Sequence, residues 1–265
     1  MLKYFQTKFR IMASERQEYS EESPWWGEHL HRYNEAANHV RSNDCILDIA
    51  CGNGFGSYFL SNKTKNNVVG ADISEEAINF CKKEFQNANL KYIAADGTKL
   101  PFPDEYFDII VSFETIEHTK LYKEMLKELT RLLKSTGILI LSTPNKLISS
   151  PTGIIKNPFH TQEFIYDELH EILKEHFGNI QILGQKYIRY KEKSIKNTIA
   201  KLFETFFYMR GFRKLPLLFQ NKVIRLIIGK DQYPSSIDYE MVCNKSDILK
   251  CKTFYTICSN RKNTL

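Results

Sequence analysis

Short apolar runs alternate with amphipathic segments between Cys45 and Ser142, and this alternation limits the chain to few folds. The runs are continuous stretches of Val, Ile and Leu, which is typical of strands buried on both faces. The amphipathic segments between them can cover such strands as helices. The sequence therefore predicts an α/β fold with a doubly wound, Rossmann-like and mainly parallel sheet.

The predicted elements follow one another closely along the chain. The predicted strands are Cys45–Ala50, Asn67–Ala71, Leu90–Ala94, Phe107–Phe113, Gly137–Ser142, Asn179–Leu183 and Cys251–Cys258. The predicted helices are Phe55–Ser61, Glu75–Asn87, Leu121–Leu133 and Phe164–Phe177. We expect Gly137 to stop the third of these helices. The last strand is expected to run antiparallel at the edge of the sheet.

A length of 265 residues suits a single domain with an insertion, because such a chain can bury one proper core. We divide it into an N-terminal helical lid (1–44), a cofactor-binding core (45–190), a helical insertion (191–250) and a last strand with a tail (251–265). No apolar run approaches the roughly 18 residues of a spanning helix, and the first residues lack a signal-peptide core. A cytoplasmic protein is expected.

Basic charge is concentrated between Lys186 and Lys230, where twelve Lys or Arg accompany two acidic residues in a chain of net charge +6. Such a block is typical of a solvated helical face, or of a surface that meets phosphate groups or an anionic membrane. Its apolar residues leave three roles open: an active-site cap, a homodimer surface or a peripheral membrane contact. No nucleic-acid partner is expected.

The six cysteines are scattered, without a CxxC pair and without histidines at metal-ligand spacing. Structural zinc sites and disulfide frameworks both need closer or more regular spacing. The sequence therefore predicts neither a metal site nor a disulfide.

A glycine-rich turn follows the first predicted strand, in Asp48-Ile49-Ala50-Cys51-Gly52-Asn53-Gly54-Phe55-Gly56. Glycine at positions 52, 54 and 56 permits positive φ and removes the Cβ atoms that would keep a ligand away from the backbone. Ligands of open parallel sheets bind at the carboxyl ends of the strands, where this turn lies. A nucleotide-like cofactor is predicted.

Polar or aromatic residues also close the next three strands. Asp72 ends the second strand, 24 residues after Asp48, where an acid can accept hydrogen bonds from both ribose hydroxyls. Asp96 ends the third strand and can accept a proton of an adenine amine. Phe113 ends the fourth. This ordered set is a stronger signal than the glycine turn alone.

Together these segments resemble the class I S-adenosylmethionine-dependent methyltransferases. The matching segments are Asp48–Gly56, Val69–Ser74, Ala95–Gly97, Leu100–Asp108 and Ser112–His118. The resemblance covers about residues 29 to 185 and is specific for the family rather than for the methyl acceptor. It implies an enzyme of the EC 2.1.1 type that uses S-adenosylmethionine, and no metal.

Carried over by position, the resemblance implies a set of cofactor-binding residues. They are Asp48, Ala50, Gly52, Gly54, Asp72, Ile73, Asp96, Gly97 and Phe113. The glycine turn and Asp48 would hold the methionine part of the cofactor, and Asp72 the ribose. Ile73 would pack on adenine, Asp96 and Gly97 would meet its edge, and Phe113 would line the sulfonium side.

Residues of the acceptor side are predicted from their places around the sheet. A hydroxyl acceptor needs a general base near the methyl group. His118, beside Glu117 after the fourth strand, is the first candidate, although it could equally cap the next helix or pack on the cofactor. His160, in the loop after the fifth strand, is the second.

The N-terminal segment supplies further candidates, because a helix there could close over the cofactor. Arg32 could pair with the cofactor carboxylate, and Trp25 and Trp26 could stack on a sugar. Surface packing explains them equally well. The remaining acceptor candidates are His29, Tyr33 and Asn145.

Flanking segments resemble a narrower group. The segments are His29–Tyr33, Leu141–Asn145 and Asn157–Phe164, and they look like bacterial members that often accompany glycan and polysaccharide biosynthesis. The leading prediction is O-methylation of a sugar or another small glycan- or capsule-precursor group, with phosphate-linked acceptors included.

Three alternatives stay open. One is C- or N-methylation of a lipid-like quinone or amine at a membrane surface. Another is an NAD-dependent oxidoreductase, which fits less well because Ser57 stands where that fingerprint has a later glycine. The last is a non-catalytic protein that binds the cofactor.

Overall fold

The computed structural model describes residues 25–189 and 233–262, together with Leu202, Lys222, Arg225 and Leu226. The chain forms two compact units. The first comprises Met1–Gln17, Arg32–Lys186 and Met241–Leu265, and the second comprises Glu18–His31 and Tyr187–Glu240. The predicted basic block lies almost wholly outside the described residues, so its three possible roles stay predictions.

Seven α-helices and eight strands lie in the described parts of the chain. The helices are α1 (Trp26–Ala37), α2 (Phe55–Ser61), α3 (Glu75–Glu84), α4 (Tyr122–Leu132), α5 (Lys146–Ser149), α6 (Tyr166–Lys174) and α7 (Lys245–Ile248), with 3₁₀ turns at Ile116–His118 and Ser236–Asp238. The strands are β1 (Ile46–Ile49), β2 (Val68–Asp72), β3 (Leu90–Ala94), β4 (Phe107–Phe113), β5 (Leu133–Pro144), β6 (Phe177–Tyr187), β7 (Tyr239–Val242) and β8 (Thr253–Arg261). None of these helices has the length and apolarity needed to cross a membrane.

The strands form one sheet in the order β3-β2-β1-β4-β5-β8-β6-β7. The pairs among β1 to β5 are parallel, which confirms the predicted doubly wound sheet. Ile49 at the end of β1 is in register with Ala71 of β2 and with Ser112 of β4. The carboxyl ends of these three strands are therefore level, and the residues that follow them share one edge of the sheet.

The last strand lies inside the sheet and not at its edge, so that part of the prediction is wrong. β8 is antiparallel to β5 on one side and to β6 on the other, and β7 follows β6 at the end of the order. Phe254 and Tyr255 of β8 are at most 1% exposed, because neighbours cover both faces and both edges of this strand.

Gly137 does not end a helix as predicted. α4 ends at Leu132, and Gly137 lies within β5. A Cβ atom at this position would lie 2.8 Å from the backbone oxygen of Asp108 and 2.8 Å from the Leu133 side chain. The glycine is needed for close approach of two backbones rather than for a left-handed turn.

The core of the first unit lies between the sheet and its helices. The apolar residues of the predicted helix Leu121–Leu133 that are buried there are Met125, Leu126, Leu129, Leu132 and Leu133. Leu121 is half exposed, because it caps α4 instead of lying within it.

In the second unit, the first turn of α1 packs on the segment before β7. A Cβ atom on Gly27 would lie 2.3 Å from the backbone oxygen of Pro234. Only glycine permits this approach without a shift of one backbone. Further along the helix, the His31 ring lies 6.0 Å from the Tyr239 ring.

Candidate active site

The turn between β1 and α2 exposes backbone to a potential ligand. Ala50, Gly52 and Gly54 have φ angles of 56°, 56° and 81°, so the chain is left-handed at three positions in five. A Cβ atom at Gly54 would lie 2.6 Å from the Cys81 sulfur, whereas one at Gly52 would meet nothing within 4 Å. Gly52 therefore borders open space, and its bare backbone can approach a cofactor.

Gly56 has a different role from the other two glycines. It lies inside α2 and is not among the glycines with positive φ, so that expectation is wrong. A Cβ atom here would lie 1.8 Å from the Tyr33 ring. Gly56 lets the Tyr33 ring pack directly on the helix backbone.

Asp48 is buried beneath the turn, 1% exposed. Its carboxylate accepts hydrogen bonds from Ser57 Oγ at 2.6 Å and from the Tyr33 hydroxyl at 3.2 and 3.3 Å. Burial raises the pKa of Asp48 to about 7, although these two donors oppose the shift. Ser57 stands where the NAD-binding fingerprint has its later glycine. Here its hydroxyl instead holds the Asp48 carboxylate in position.

Asp72 joins the end of β2 to the glycine turn. Its Oδ2 accepts a hydrogen bond from the Gly52 backbone at 3.0 Å, and its Oδ1 accepts one from the Ser74 backbone at 2.9 Å. Ser74, and not Asp72, is the N-cap of α3, and it accepts a hydrogen bond from Ala77 N. Ile73 is 73% exposed beside this carboxylate, so an apolar side chain is available where adenine packing was predicted.

The remaining predicted cofactor residues lie at the ends of β3 and β4. Asp96 is exposed, and its Oδ1 accepts hydrogen bonds from the backbone and hydroxyl of Thr98, both at 2.8 Å. A Cβ atom at Gly97 would lie 3.5 Å from the side chain of Ile49, beside the end of β1. Phe113 is buried against the Tyr33 ring at 5.0 Å.

Two histidines and a glutamate meet beyond the end of β4. The 3₁₀ turn Ile116–His118 carries Glu117 and His118. The rings of His118 and His160 are edge to face with centroids 4.9 Å apart. His118 Nε2 lies 3.9 Å from Glu117 Oε1. The structure therefore brings the three predicted catalytic candidates together, although His160 comes 42 residues after His118. The alternative of His118 as the helix cap is wrong, since Leu121 caps α4.

Each histidine is oriented by an acceptor of its own. His118 Nδ1 lies 3.1 Å from the backbone oxygen of Phe159. His160 Nδ1 lies 2.8 Å from the Glu163 carboxylate, and its Nε2 lies 2.9 Å from the Asn157 amide nitrogen. Because oxygen can only accept, we assign the proton of each neutral imidazole to Nδ1 and the lone pair to Nε2.

The loop that carries His160 is held against the 3₁₀ turn by further hydrogen bonds. The Glu117 backbone oxygen accepts from Thr161 N at 2.7 Å. The Gln162 side-chain amide donates to the backbone oxygens of Ile116 and Thr119 at 2.5 and 2.6 Å. This network fixes the two histidines relative to each other without a ligand.

Glu117 is fully buried, and Thr143 Oγ1 donates to its Oε2 at 2.9 Å. Burial raises the pKa of the Glu117 carboxyl well above its usual range, and the nearby charge of Glu114 adds to this. Glu114 itself has a φ of 48°, a conformation that costs a non-glycine residue energy and is often found at functional sites.

Two other candidates, Asn145 and Tyr33, make contacts that stabilise the fold. Asn145 is fully buried, donates to the backbone oxygens of Leu249 and Cys251, and caps α5. Tyr33 is buried against Asp48. We therefore do not carry Asn145 or Tyr33 into the proposed acceptor site.

The N-terminal candidates divide between the two units. Arg32 is 1% exposed and donates to the Gln185 side chain at 2.7 Å. Trp25, Trp26 and His29 belong to the second unit, where Trp25 is half exposed and Trp26 is buried. Their roles toward cofactor or acceptor stay predictions.

The residues that orient the histidines are not predicted from the sequence. These are Asn157, Glu163, Gln162 and Thr143. The first three lie in the segment Asn157–Phe164, whose resemblance to other proteins does not indicate these roles. The i, i+3 spacing of His160 and Glu163 was the available signal, and it has meaning only once the loop conformation is known.

The fold of this chain is shared with a solved methyltransferase. A solved S-adenosylmethionine-dependent methyltransferase of Archaeoglobus fulgidus superposes with a TM-score of 0.57 at 18% identity, over 98% of this chain and 99% of that one. At this identity the likeness concerns the fold alone.

The sequence comparisons match part of the chain to methyltransferases. A family model described as "Methyltransferase domain" matches residues 47–141. A protein of Mycolicibacterium smegmatis named as a probable S-adenosylmethionine-dependent methyltransferase is 30% identical over 156 residues, 58% of this chain and 59% of the relative. Residues 47–141 thus match a methyltransferase domain, and this relative supports the resemblance to the class I S-adenosylmethionine-dependent methyltransferases.

A second relative carries a more specific name. The fatty-acid O-methyltransferase of M. smegmatis is 30% identical over 93 residues, which are 35% of this chain and 34% of that protein. This chain thus spans less than two thirds of the length of either relative.

The match to the methyltransferase family model favours S-adenosylmethionine as the cofactor over the NAD of the oxidoreductase alternative.

Proposed function

We propose that the protein transfers a methyl group from S-adenosylmethionine to an oxygen atom of a small acceptor, a sugar or another glycan-precursor group. One observation carries this proposal: the glycine-turn edge after β1 and the histidine pair after β4 follow neighbouring strands whose ends are level. A donor and a proton acceptor are thereby available at one edge of the sheet.

The chain's own residues fit the cofactor. Gly52 presents open backbone, Asp72 presents a carboxylate beside it, and Ile73 presents an apolar surface. S-adenosylmethionine supplies a methyl group already activated on a sulfonium, so the protein mainly has to align the acceptor and exclude water. Asp48 supports the turn from below through Ser57.

The imidazoles can take the acceptor proton. With its proton on Nδ1, toward Phe159 O, His118 has its lone pair on Nε2, the state a general base requires. His160 is held in the same tautomer by Glu163. The partly exposed His118 stays the first candidate and the more enclosed His160 the second.

A lipid-like acceptor is the second candidate, and one feature of this region favours it. Four large apolar side chains between positions 147 and 159 are 44% to 72% exposed: Leu147, Ile148, Ile154 and Phe159. Phe159 is also the residue whose backbone contacts His118. A relative is named fatty-acid O-methyltransferase, which makes O-methylation of a lipid the natural form of this alternative.

Calorimetric titration tests the cofactor assignment. The wild-type protein should bind S-adenosylmethionine and not NADH. Asp72→Ala should weaken S-adenosylmethionine binding by at least about tenfold, since two hydrogen bonds to a charged group are removed. The control is Glu76→Ala, which removes an exposed carboxylate of α3 and should leave the affinity unchanged. Binding of NADH alone would refute the assignment.

A methyl-donor assay tests the reaction and its acceptor. Sugar nucleotides and free fatty acids should be offered in parallel, because turnover with the first supports the leading proposal and turnover with the second supports the alternative. His118→Ala should lower kcat by about 10² to 10⁴ with little change in S-adenosylmethionine affinity. Unchanged turnover in this variant would exclude His118 as the base.

A further inference from the structure

The group of Glu117, His118 and His160 has the composition and the spacing of a divalent metal site. One potential ligand atom from each side chain lies within 4.8 Å of those from the other two. Three atoms at this spacing share a point no more than about 2.8 Å from each, and zinc bonds of about 2.1 Å would therefore need movements of only about 0.7 Å. Small side-chain rotations would suffice.

A second and independent observation is the state of the Glu117 carboxylate. Its Oε1 is buried and has no hydrogen-bond donor among the described residues, while Oε2 is held by Thr143. A buried carboxylate oxygen without a donor is unfavourable, because nothing replaces the water it has lost. This atom lies 3.9 Å from His118 Nε2, within the group. A cation there would provide the missing interaction.

The surroundings of both imidazoles match those of metal-binding histidines. Such residues usually donate their second ring N–H to a carboxylate or a backbone oxygen, which fixes the tautomer and the ring orientation. His160 does so to Glu163, and His118 to Phe159 O. In this tautomer the His160 lone pair accepts from the Asn157 amide, which would have to turn away when a metal binds.

We propose that Glu117, His118 and His160 bind one divalent transition-metal ion such as Zn²⁺, Co²⁺, Fe²⁺ or Mn²⁺, with open positions for an acceptor hydroxyl. Two imidazoles and one carboxylate favour these ions over Mg²⁺ and Ca²⁺, which prefer oxygen ligands. The site departs from the metal-free protein expected from the cysteine and histidine spacing. Metal binding stands on the geometry alone, whereas its use in holding an acceptor rests on the proposed function. With an ion bound, His118 Nε2 would be a ligand and could not also be the base, and the ion would instead lower the pKa of the acceptor hydroxyl that it holds.

Cobalt titration of the full-length, chelator-treated protein tests the site without any assay of methyl transfer. Co²⁺ should bind with a stoichiometry of one and give visible absorption bands that Zn²⁺ abolishes and Mg²⁺ in tenfold excess does not. His118→Ala and His160→Ala should each weaken Co²⁺ binding by at least about tenfold. The control is His170→Ala, an exposed histidine beside Glu171 that should bind Co²⁺ like the wild type.

Glu117→Gln should also weaken Co²⁺ binding, and thermal unfolding would show whether this buried variant is folded. If it is not, the two histidine variants decide. Absence of Co²⁺ binding at millimolar concentration, or equal binding in the His118, His160 and His170 variants, would overturn the site. Site-specific binding in a protein without methyltransferase activity would leave the metal site standing and count against the proposed function only.

Discussion

The two halves of the candidate site are built by different means. The cofactor edge after β1 and β2 is made of backbone: left-handed residues, an open glycine and a carboxylate that grips the turn. The proposed acceptor edge after β4 and β5 is made of side chains from two loops, held together by hydrogen bonds. Backbone groups can bind a ligand that many proteins share, whereas recognition of a specific acceptor needs side chains, which can differ from one protein to another.

The largest expected effect is a loss of stability, and it distinguishes Gly56 from Gly52 in the glycine-rich segment after β1. Gly56→Ala should destabilise the protein by about 3 kcal/mol, because its Cβ atom would overlap the Tyr33 ring. Gly52→Ala should cost only about 1–2 kcal/mol for its positive φ, but should weaken S-adenosylmethionine binding by at least about tenfold. Urea unfolding and calorimetry measure the two quantities. Equal stability losses would show that both glycines serve packing.

The next effect, also on stability, tests whether Asn145 supports the proposed acceptor edge. Asn145→Ala should cost about 3 kcal/mol, since the variant removes the amide that donates to the backbone oxygens of Leu249 and Cys251 and the oxygen that accepts from the first turn of α5. The affinity for S-adenosylmethionine should not change. Asn179→Ala, at an exposed position of β6, is the control and should lie within about 0.5 kcal/mol of the wild type. A stable Asn145→Ala protein with lost turnover would instead return this residue to the acceptor site.

A change of pH tests the acid beneath the turn, and its effect per pH unit is the smallest of the three. The native pKa of Asp48, about 7, is above the ordinary value of 3.8, so the folded protein holds the proton more tightly than the unfolded chain. Its contribution to stability is present below about pH 4 and decreases as the pH rises to 7, by up to about 1.4 kcal/mol per pH unit. Asp48→Asn should lack this slope. Parallel stability curves for the two proteins between pH 5 and 8 would mean that Asp48 ionises normally.

The sequence predicts the helices and strands around the proposed cofactor site well, because their signals are local. The bounds of Phe55–Ser61, Leu90–Ala94 and Phe107–Phe113 match the observed elements to the residue. Each is a short apolar or helical run, and turn residues such as Gly54 mark its start. Glycine, acid and strand are adjacent in sequence there, so one motif carries both the fold and the site.

The acceptor half depends on partners far apart in the chain. His118 and Phe159 are separated by 41 residues, and nothing between them reveals that their loops meet. The packing role of Gly56 likewise depends on Tyr33, on another element. The position of β8 was mispredicted for the same reason, since a strand's own residues do not show whether it has one neighbour or two.

The central position of β8 has a consequence for synthesis of the protein on the ribosome. Residues 139–144 of β5 and 177–185 of β6 both pair with β8, which is made more than 100 residues after β5. Until Thr253–Arg261 emerges, both strands have unpaired edges, which favour pairing with other chains. The nascent protein therefore passes through a stage in which a chaperone that covers strand edges would raise its yield.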